Sequence, residues 1–524
     1  MTATLLHELL DRRSMRSGNT RATSRSGRTW NYAELWRRSQ AAASWLHHQH
    51  VRRGDRVLIV DHNDMETLAV VFGASRIGAM YTVVSHRITP YLLRHIVADS
   101  CPRLIVGSGE AIGQVAADVP TFALTEVPDR DADAGCSRWP VPIASDPVSL
   151  IYTSGSTALP KAVVSTHQQV TFAVDAIAAE LGYREDDSVF CCLPLSFDYG
   201  LYQAFLCCAT GAALMLGDET DAGAALPSSL ASAQASVLPL VPSLGISLCL
   251  LLERSGASLP FLRMITSTGA PLIPSVAARL RARIPTAVVV AMFGLTECKR
   301  VSIAEPDLDL ARPGSAGRAL PGTEVVVADA GGRPLPPGEV GEFLVKGPHV
   351  MAGYWNSPEQ TAARFRRDYL GRTTLHTGDY GRTDNDGYLY VLGRRDDIYK
   401  QNGFRVSTTE VEAAALDIPG VERAAALPPR EDHGARLAVS GSISLERLLK
   451  ELRLRLEPSK IPADCLVLDA LPLTTNGKSD RRAIAGQWGR AHEAGRAGGL
   501  PAEALPAAAK PAPGLLGGRG AEQG

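Results

Sequence analysis

Between Gly54 and Val106 the chain alternates two kinds of segment, and this alternation constrains its fold more than any other feature. Gly54-Asp-Arg-Val-Leu-Ile-Val60 is a turn followed by a short unbroken apolar run, the pattern of a strand covered on both faces. Glu66 to Gly78 carries apolar residues at helical spacing, Ala79 to Ser85 is strand-like again, Pro90 to Asp99 reads as a helix and Arg103 to Val106 as a strand. Strand, helix, strand, helix, strand with short connections is the grammar of a parallel sheet covered by helices, so the fold class is α/β.

The stretches on either side extend the pattern. A short helical start is followed by Trp30 to Trp36, which leads into a helix over Arg37 to His47. Residues 108 to 146 are polar and mixed, an irregular crossing with one short strand. Alternation then resumes with a helix from about Gln168 to Glu180 and strands from Val189, over Ala213 to Leu216, Ser236 to Leu240, Met264 to Ser267 and Ala287 to Ala291. Ligands of open α/β sheets collect at the carboxyl ends of strands. The turns Thr268-Gly-Ala-Pro271 and Phe293-Gly-Leu-Thr-Glu-Cys298 fall there, and so does Val189-Phe-Cys-Cys-Leu-Pro-Leu-Ser-Phe-Asp-Tyr-Gly200, with an acid at its tip.

From Ala311 the texture changes to short strands punctuated by glycine and proline: Thr323 to Asp329, Gly338 to Lys346, Tyr388 to Leu392. After the charged connector Gly393 to Arg405 comes a compact α+β unit: helices over Thr408 to Leu416 and Ser444 to Leu456, strands over Val421 to Ala426 and Cys465 to Leu468. The expected organisation is a large amino-terminal domain over 1–393, containing the small β-rich subdomain, a small carboxy-terminal domain over 394–487, and an Ala/Gly/Pro-rich tail over 488–524 too poor in large apolar residues to fold. The tail's Leu515-Leu-Gly-Gly-Arg519 lacks the serine of a carrier-protein attachment site.

Bulk chemistry narrows the partners. With 54 basic and 55 acidic residues the net charge is −1, so nothing points to nucleic acid or a membrane surface, and a small molecule or another protein is expected instead. The nine cysteines include no Cys-x-x-Cys, and the adjacent pairs 191/192 and 207/208 sit in apolar runs. They read as buried thiols in a reducing compartment. The amino terminus shows no secretory signal. The most apolar stretch, Val237 to Leu252, falls short of the roughly 20 residues needed to span a bilayer and reads as a buried helix. A soluble, cytoplasmic protein is the expectation.

Chemistry concentrates in Tyr152-Thr-Ser-Gly-Ser-Thr-Ala-Leu-Pro-Lys161. Thr153, Ser154, Ser156 and Thr157 supply hydroxyls, Gly155 permits close backbone approach, and Lys161 adds an ammonium, a set suited to holding phosphate. It is not a Walker A loop, because Lys161 leads into a strand-like run rather than opening a helix. Alone, the stretch equally fits a Ser/Thr-rich hairpin loop.

Four stretches in order decide between these: Tyr152 to Lys161, Phe293 to Glu297, His376-Thr-Gly-Asp-Tyr380 with Gly393-Arg394, and Leu473-Thr-Thr-Asn-Gly-Lys478. Over about residues 10 to 485 they resemble the AMP-forming, adenylate-forming superfamily of acyl-CoA synthetases, luciferases and peptide-synthetase adenylation domains. The resemblance implies a carboxylate attacking the α-phosphate of ATP with loss of pyrophosphate, then a pantetheine thiol displacing AMP.

It further implies roles for particular residues. The first loop would wrap the β- and γ-phosphates, with Lys161 as a point charge. Glu297 would hold Mg²⁺, Thr296 would face the α-phosphate, and Gly269, Ala270 and Pro271 would lie along the adenine. Asp379 would accept both ribose hydroxyls, backed by Arg394, and Lys478 would meet the charge building on carboxylate and α-phosphate. Asp396 stands where the family has its hinge, and the loop Lys400 to Arg405, with Gly403 leaving room for the pantetheine arm, would enter the site in the second step. Taken singly, Gly-Leu-Thr-Glu also fits a helix N-cap, Asp379 an ordinary turn, and Lys478 a solvated loop.

Two positions depart from the family pattern: Ala158 and Ala162 replace glycines. An alanine forced to positive φ costs about 1 kcal/mol or more. This departure motivates a non-catalytic nucleotide-binding protein as the alternative from another class. For the substrate, Phe197, Asp198 and Tyr199 are the pocket candidates. The sequence favours a small carboxylic acid joined to coenzyme A or to a phosphopantetheinyl carrier protein. Asp198, placed where aminoacyl-activating relatives pair the substrate ammonium, keeps an amino acid as the alternative.

Overall fold

The computed structural model describes residues 3–107, 112–113, 119–130, 139–153, 159–218, 220–394, 397–401, 404–430, 433–456, 458–474 and 478–488. The predicted alternation over 54–106 forms as expected: strands Arg56–Asp61, Met80–Ser85 and Leu104–Gly107 lie parallel, joined by helices Met65–Arg76 and Pro90–Ser100. They belong to a seven-stranded sheet that runs from Gly353–Tyr354 through Lys161–Thr166, Pro147–Thr153, Met80–Ser85, Arg56–Asp61 and Leu104–Gly107 to Thr121–Phe122.

A second, nine-stranded sheet is parallel through its centre. Ala213–Leu216, Ser188–Cys191, Val237–Leu240, Met264–Ser267 and Val288–Phe293 are consecutive neighbours. At one edge it takes up the hairpin Arg21–Arg25/Arg28–Asn31, which the sequence reading did not find. The main core lies between the layers, where Phe72, Phe205, Tyr32 and Leu46 have no more than traces of exposed surface. Asp187 pins this sheet at the start of one strand. Its carboxylate, 3% exposed, accepts the Ser236 hydroxyl and Arg263 Nε, each at 2.7 Å, the Arg184 N–H at 2.7 Å and Arg263 Nη2. Burial pushes that carboxyl up, but these donors, Arg263 foremost, outweigh it and hold it below the ordinary range.

The apolar stretch from Val237 to Leu252 is not one helix. Val237–Leu240 is a strand, with Pro239 in register against Thr266, and Pro242–Ser255 is a helix with proline in its first turn, where a missing N–H costs nothing. No helix among the described residues is long and apolar enough to cross a membrane. Cys101 is exposed; the other described cysteines are buried and free.

The third, five-stranded sheet contains the expected Glu324–Ala328, Gly341–Lys346 and Leu389–Arg394. Its longest member is Thr373–Thr383, which carries Asp379, so Asp379 is a strand residue in register with Arg394 rather than a turn residue. The carboxy-terminal unit holds helices Thr408–Leu416 and Leu445–Arg455 against a three-stranded sheet whose middle strand, Arg436–Gly441, the sequence reading missed. The hinge candidate Asp396, the glycine Gly403 and residues 489–524 of the expected tail lie outside the described residues; Trp488, placed in that tail, is instead buried in the carboxy-terminal unit, its Nε1 donating to Asp464 Oδ2 at 2.7 Å.

Candidate active site

The site gathers at the carboxyl ends of the parallel strands, where the small domain faces the large one. The phosphate-loop candidate joins two antiparallel strands paired through Thr153↔Lys161, so the hairpin part of the reading is correct. Ser154, Gly155, Ser156, Thr157 and Ala158 lie outside the described residues. Both stems are tied to the Pro90–Ser100 helix: the Tyr152 hydroxyl donates to Asp99 Oδ2 at 2.6 Å, and the His95 ring lies 2.9 Å from the Pro160 carbonyl. Ala162 is an ordinary strand residue opposite Tyr152, with its methyl buried beside Met80 and Leu150. Its φ is not positive, so this substitution stores no strain and fills core volume.

Glu297 is buried, accepts the Tyr354 hydroxyl at 2.5 Å and stands 3.7 Å from Arg364. Thr296, next to it, is half-buried. Lys161 Nζ lies 5.6 Å from the centre of the Tyr354 ring, so one tyrosine touches both the phosphate-loop lysine and the Glu297 carboxylate. Asp379 is buried 3.2 Å from Arg394 Nε. Burial raises its carboxyl, while Arg394 and Arg364 act in the opposite direction. Arg364 thus lies near both acids, and a methyl group at Gly378, whose φ is +68°, would stand 2.7 Å from its Nη1.

Lys478 is on an exposed turn, but its far end reaches into the cleft: a Cβ built on Gly269 would lie 3.7 Å from Lys478 Cε. Desolvation there, then Arg394, lowers the lysine from its ordinary value, with Asp198 and Asp379 opposing. Gly269, at φ +91°, leaves this approach open; Ala270 and Pro271 follow it on the surface.

Asp198 opens the helix Asp198–Thr210 and is 6% exposed. It lines a small enclosed cavity with Tyr199, Tyr202, Lys299 and Arg300. Tyr199 also hydrogen-bonds Thr266, at 2.7 Å to its hydroxyl. Phe197 packs edge-on against Tyr199 outside that cavity. Lys299 and Arg300 were absent from the sequence reading, although they follow Glu297 by two and three residues. Lys299 Nζ is 3.6 Å from Asp198 Oδ2. Gly294 makes this turn possible, since a Cβ there would stand 2.1 Å from the Lys299 carbonyl.

No group of three or more His, Cys, Asp or Glu residues suited to a metal occurs among the described residues. A single buried carboxylate, Glu297, matches the usual way a protein holds Mg²⁺, with the remaining ligands drawn from phosphate and water.

Comparison with known proteins shows the family of the chain. The model of the AMP-binding enzyme family matches residues 10–355. Feruloyl-CoA synthase from an Amycolatopsis species is 32% identical over 486 residues, 89% of this chain and 96% of that protein. Among solved structures, VinN in complex with L-aspartate is 41% identical with a TM-score of 0.69, covering 75% of this chain and 99% of VinN. ATP-bound MatB from Rhodopseudomonas palustris is 25% identical with a TM-score of 0.81, covering 93% and 99%. The chain therefore belongs to the AMP-binding enzyme family, with that family's large amino-terminal and small carboxy-terminal domains. Within it, the protein is an AMP-forming acid–thiol ligase.

Proposed function

We propose that this ligase activates a small amino acid as its adenylate and passes the aminoacyl group to a pantetheine thiol, on coenzyme A or on a separate carrier protein. The observation that carries this reading is Asp198, a buried carboxylate whose ion-pair partner Lys299, at 3.6 Å, is beyond hydrogen-bond reach. It lies near enough to Lys478 for the two charges to act on each other. A substrate ammonium set against Asp198 would be fixed close to the lysine that meets the reacting carboxylate. The VinN complex with L-aspartate supports the same choice. A simple carboxylic acid, the reading the sequence alone favours, would leave Asp198 with no substrate charge to bind. The non-catalytic alternative loses one of its two grounds, because Ala162 sits unstrained in a strand.

In this mechanism the reacting carboxylate enters between Lys478 and Thr296. The ammonium of Lys478 faces the oxygens on which charge accumulates as the bond to the α-phosphate forms and pyrophosphate leaves. Asp379, backed by Arg394, binds the ribose hydroxyls. Glu297, held by Tyr354 and Arg364, would be the carboxylate for Mg²⁺, which when bound neutralises phosphate charge. The loop 154–158 and Lys161 clamp the outer phosphates. The boundary of the small domain at 393/394, with Asp396 as pivot and Gly403 beside the thiol, belongs to the same proposal.

Pyrophosphate release over a panel of acids, with hydroxylamine trapping the adenylate, tests it. An amino acid should be the best substrate, and Asp198→Ala should lower its kcat/KM on the order of 10²-fold or more, the usual cost of unpairing a buried charge. Undiminished amino-acid turnover in Asp198→Ala would remove the ammonium pairing.

A further inference from the structure

The cavity behind Asp198 carries more positive charge than an ordinary amino acid can use. Its lining holds two cations, Lys299 and Arg300, 1% and 6% exposed, against one carboxylate. Glu297, the other acid near Lys299, is engaged by Tyr354 and Arg364. Three buried polar atoms of this lining have no hydrogen-bond partner among the described residues: Lys299 Nζ, Arg300 Nε and the Tyr202 hydroxyl. Buried polar groups are nearly always satisfied, so three orphan donors around one cavity point to an acceptor brought in by a ligand. Gln203 also lines the wall, but its amide is already engaged, Oε1 accepting the Tyr183 hydroxyl at 2.9 Å and Nε2 donating to the Tyr199 carbonyl at 3.1 Å; Ile177, Leu181, Leu206 and Met292 are apolar.

The backbone also indicates a site held at a cost. Lys299 has a φ of +62°, a conformation that L-residues other than glycine, asparagine and aspartate seldom adopt. Its side chain passes 5.3 Å from the Tyr202 ring centre, and the Arg300 guanidinium lies 4.7 Å from that of Tyr199. Aromatic faces thus orient both cations; Arg300 Nη1 donates to the Lys299 carbonyl at 2.7 Å, and Arg300 Nε and Lys299 Nζ are left without an acceptor among the described residues. An ammonium entering beside Asp198 would add a third positive charge to the cluster, and a second anion on the same molecule would offset it.

We propose that Lys299 and Arg300, with the Tyr202 hydroxyl, form a subsite for a second acid group, so that the substrate is a short amino dicarboxylic acid with one carboxylate activated and the other held in this cavity. This inference rests on the amino-acid reading above.

Adenylate formation with L-aspartate, L-asparagine and succinate, and with L-glutamate, L-glutamine and glutarate, separates the two ideas. The expected result is one amino dicarboxylate preferred over both its amide and its deaminated analogue by about 100-fold or more in kcat/KM, since sites built to pair a polar group reject analogues lacking it. If the amide, or a neutral amino acid, is turned over as well as the acid, the second-acid subsite is wrong while the amino-acid reading stands. If the deaminated diacid is turned over as well, the amino-acid reading falls and the subsite stands. Lys299→Met should erase the acid-over-amide preference and raise KM for the diacid. Removing Lys299 also takes the ion-pair partner from the buried Asp198, so a lowered thermal midpoint is expected, and the preference is measured well below that midpoint. A folded Lys299→Met enzyme that kept the full preference would overturn the proposal.

Discussion

Replacing Lys478 with alanine is expected to slow adenylate formation by on the order of 10²- to 10⁴-fold, the range seen when a single charge-stabilising donor leaves a dry site. Transfer from a pre-formed aminoacyl adenylate to the thiol should fall far less, because in the proposed mechanism Lys478 meets the charge of the first step. The pH profile offers a second reading. The ammonium must be protonated to act, and desolvation in the cleft, then Arg394, lowers its pKa from the usual lysine value. Adenylation should therefore decline as pH rises through that lowered pKa, at a lower pH than a solvated lysine would give. In Lys478→Ala the alkaline decline should disappear along with the rate. Stopped-flow pyrophosphate release measures both, and a variant that retained the parental rate would exclude Lys478 from the chemistry.

The largest effect on stability should come from Asp187. Removing its carboxylate strands the Arg263 guanidinium, the Ser236 hydroxyl and the Arg184 N–H together at the seam of three neighbouring strands. Breaking a buried ion pair by deleting one partner typically costs about 3–5 kcal/mol, and because Arg263 retains some solvent contact Asp187→Ala should fall near about 3 kcal/mol. Urea unfolding followed by tryptophan fluorescence checks this. A midpoint equal to the parent's would mean that the cluster contributes no net stability.

Legibility followed how far local chemistry agreed with tertiary context. Ala213–Leu216, Met264–Ser267 and Thr408–Leu416 have the boundaries read from sequence, because their patterns carry no contrary signal. The strand Thr373–Thr383 was hidden by Thr-Gly-Asp, a turn-like sequence. Pairing with Gly341–Lys346 overrides it, while Gly378 at φ +68° absorbs the irregularity. The proline-containing stretch after Val237 was misread as one helix, since periodicity cannot separate a buried strand from a buried helix over so few residues. Lys299 and Arg300 escaped notice for a different reason. Adjacent cations in a turn look like solvated surface, and only the packed neighbours reveal that they are enclosed.

The turn from Gly294 to Arg300 has one more consequence. In the proposed site Thr296 and Glu297 meet the nucleotide, Lys299 lines the cavity proposed for the acid, and the Lys299 carbonyl sits where Gly294 would carry a Cβ. With both sides built on one turn, occupancy of either is expected to affect the other. Linkage then requires reciprocity: whatever factor the bound acid contributes to nucleotide affinity, the nucleotide returns to the acid. Titrating a non-hydrolysable ATP analogue with and without the preferred acid would read that shared factor directly. Selectivity for the acid and commitment to the first chemical step would then be two expressions of one equilibrium.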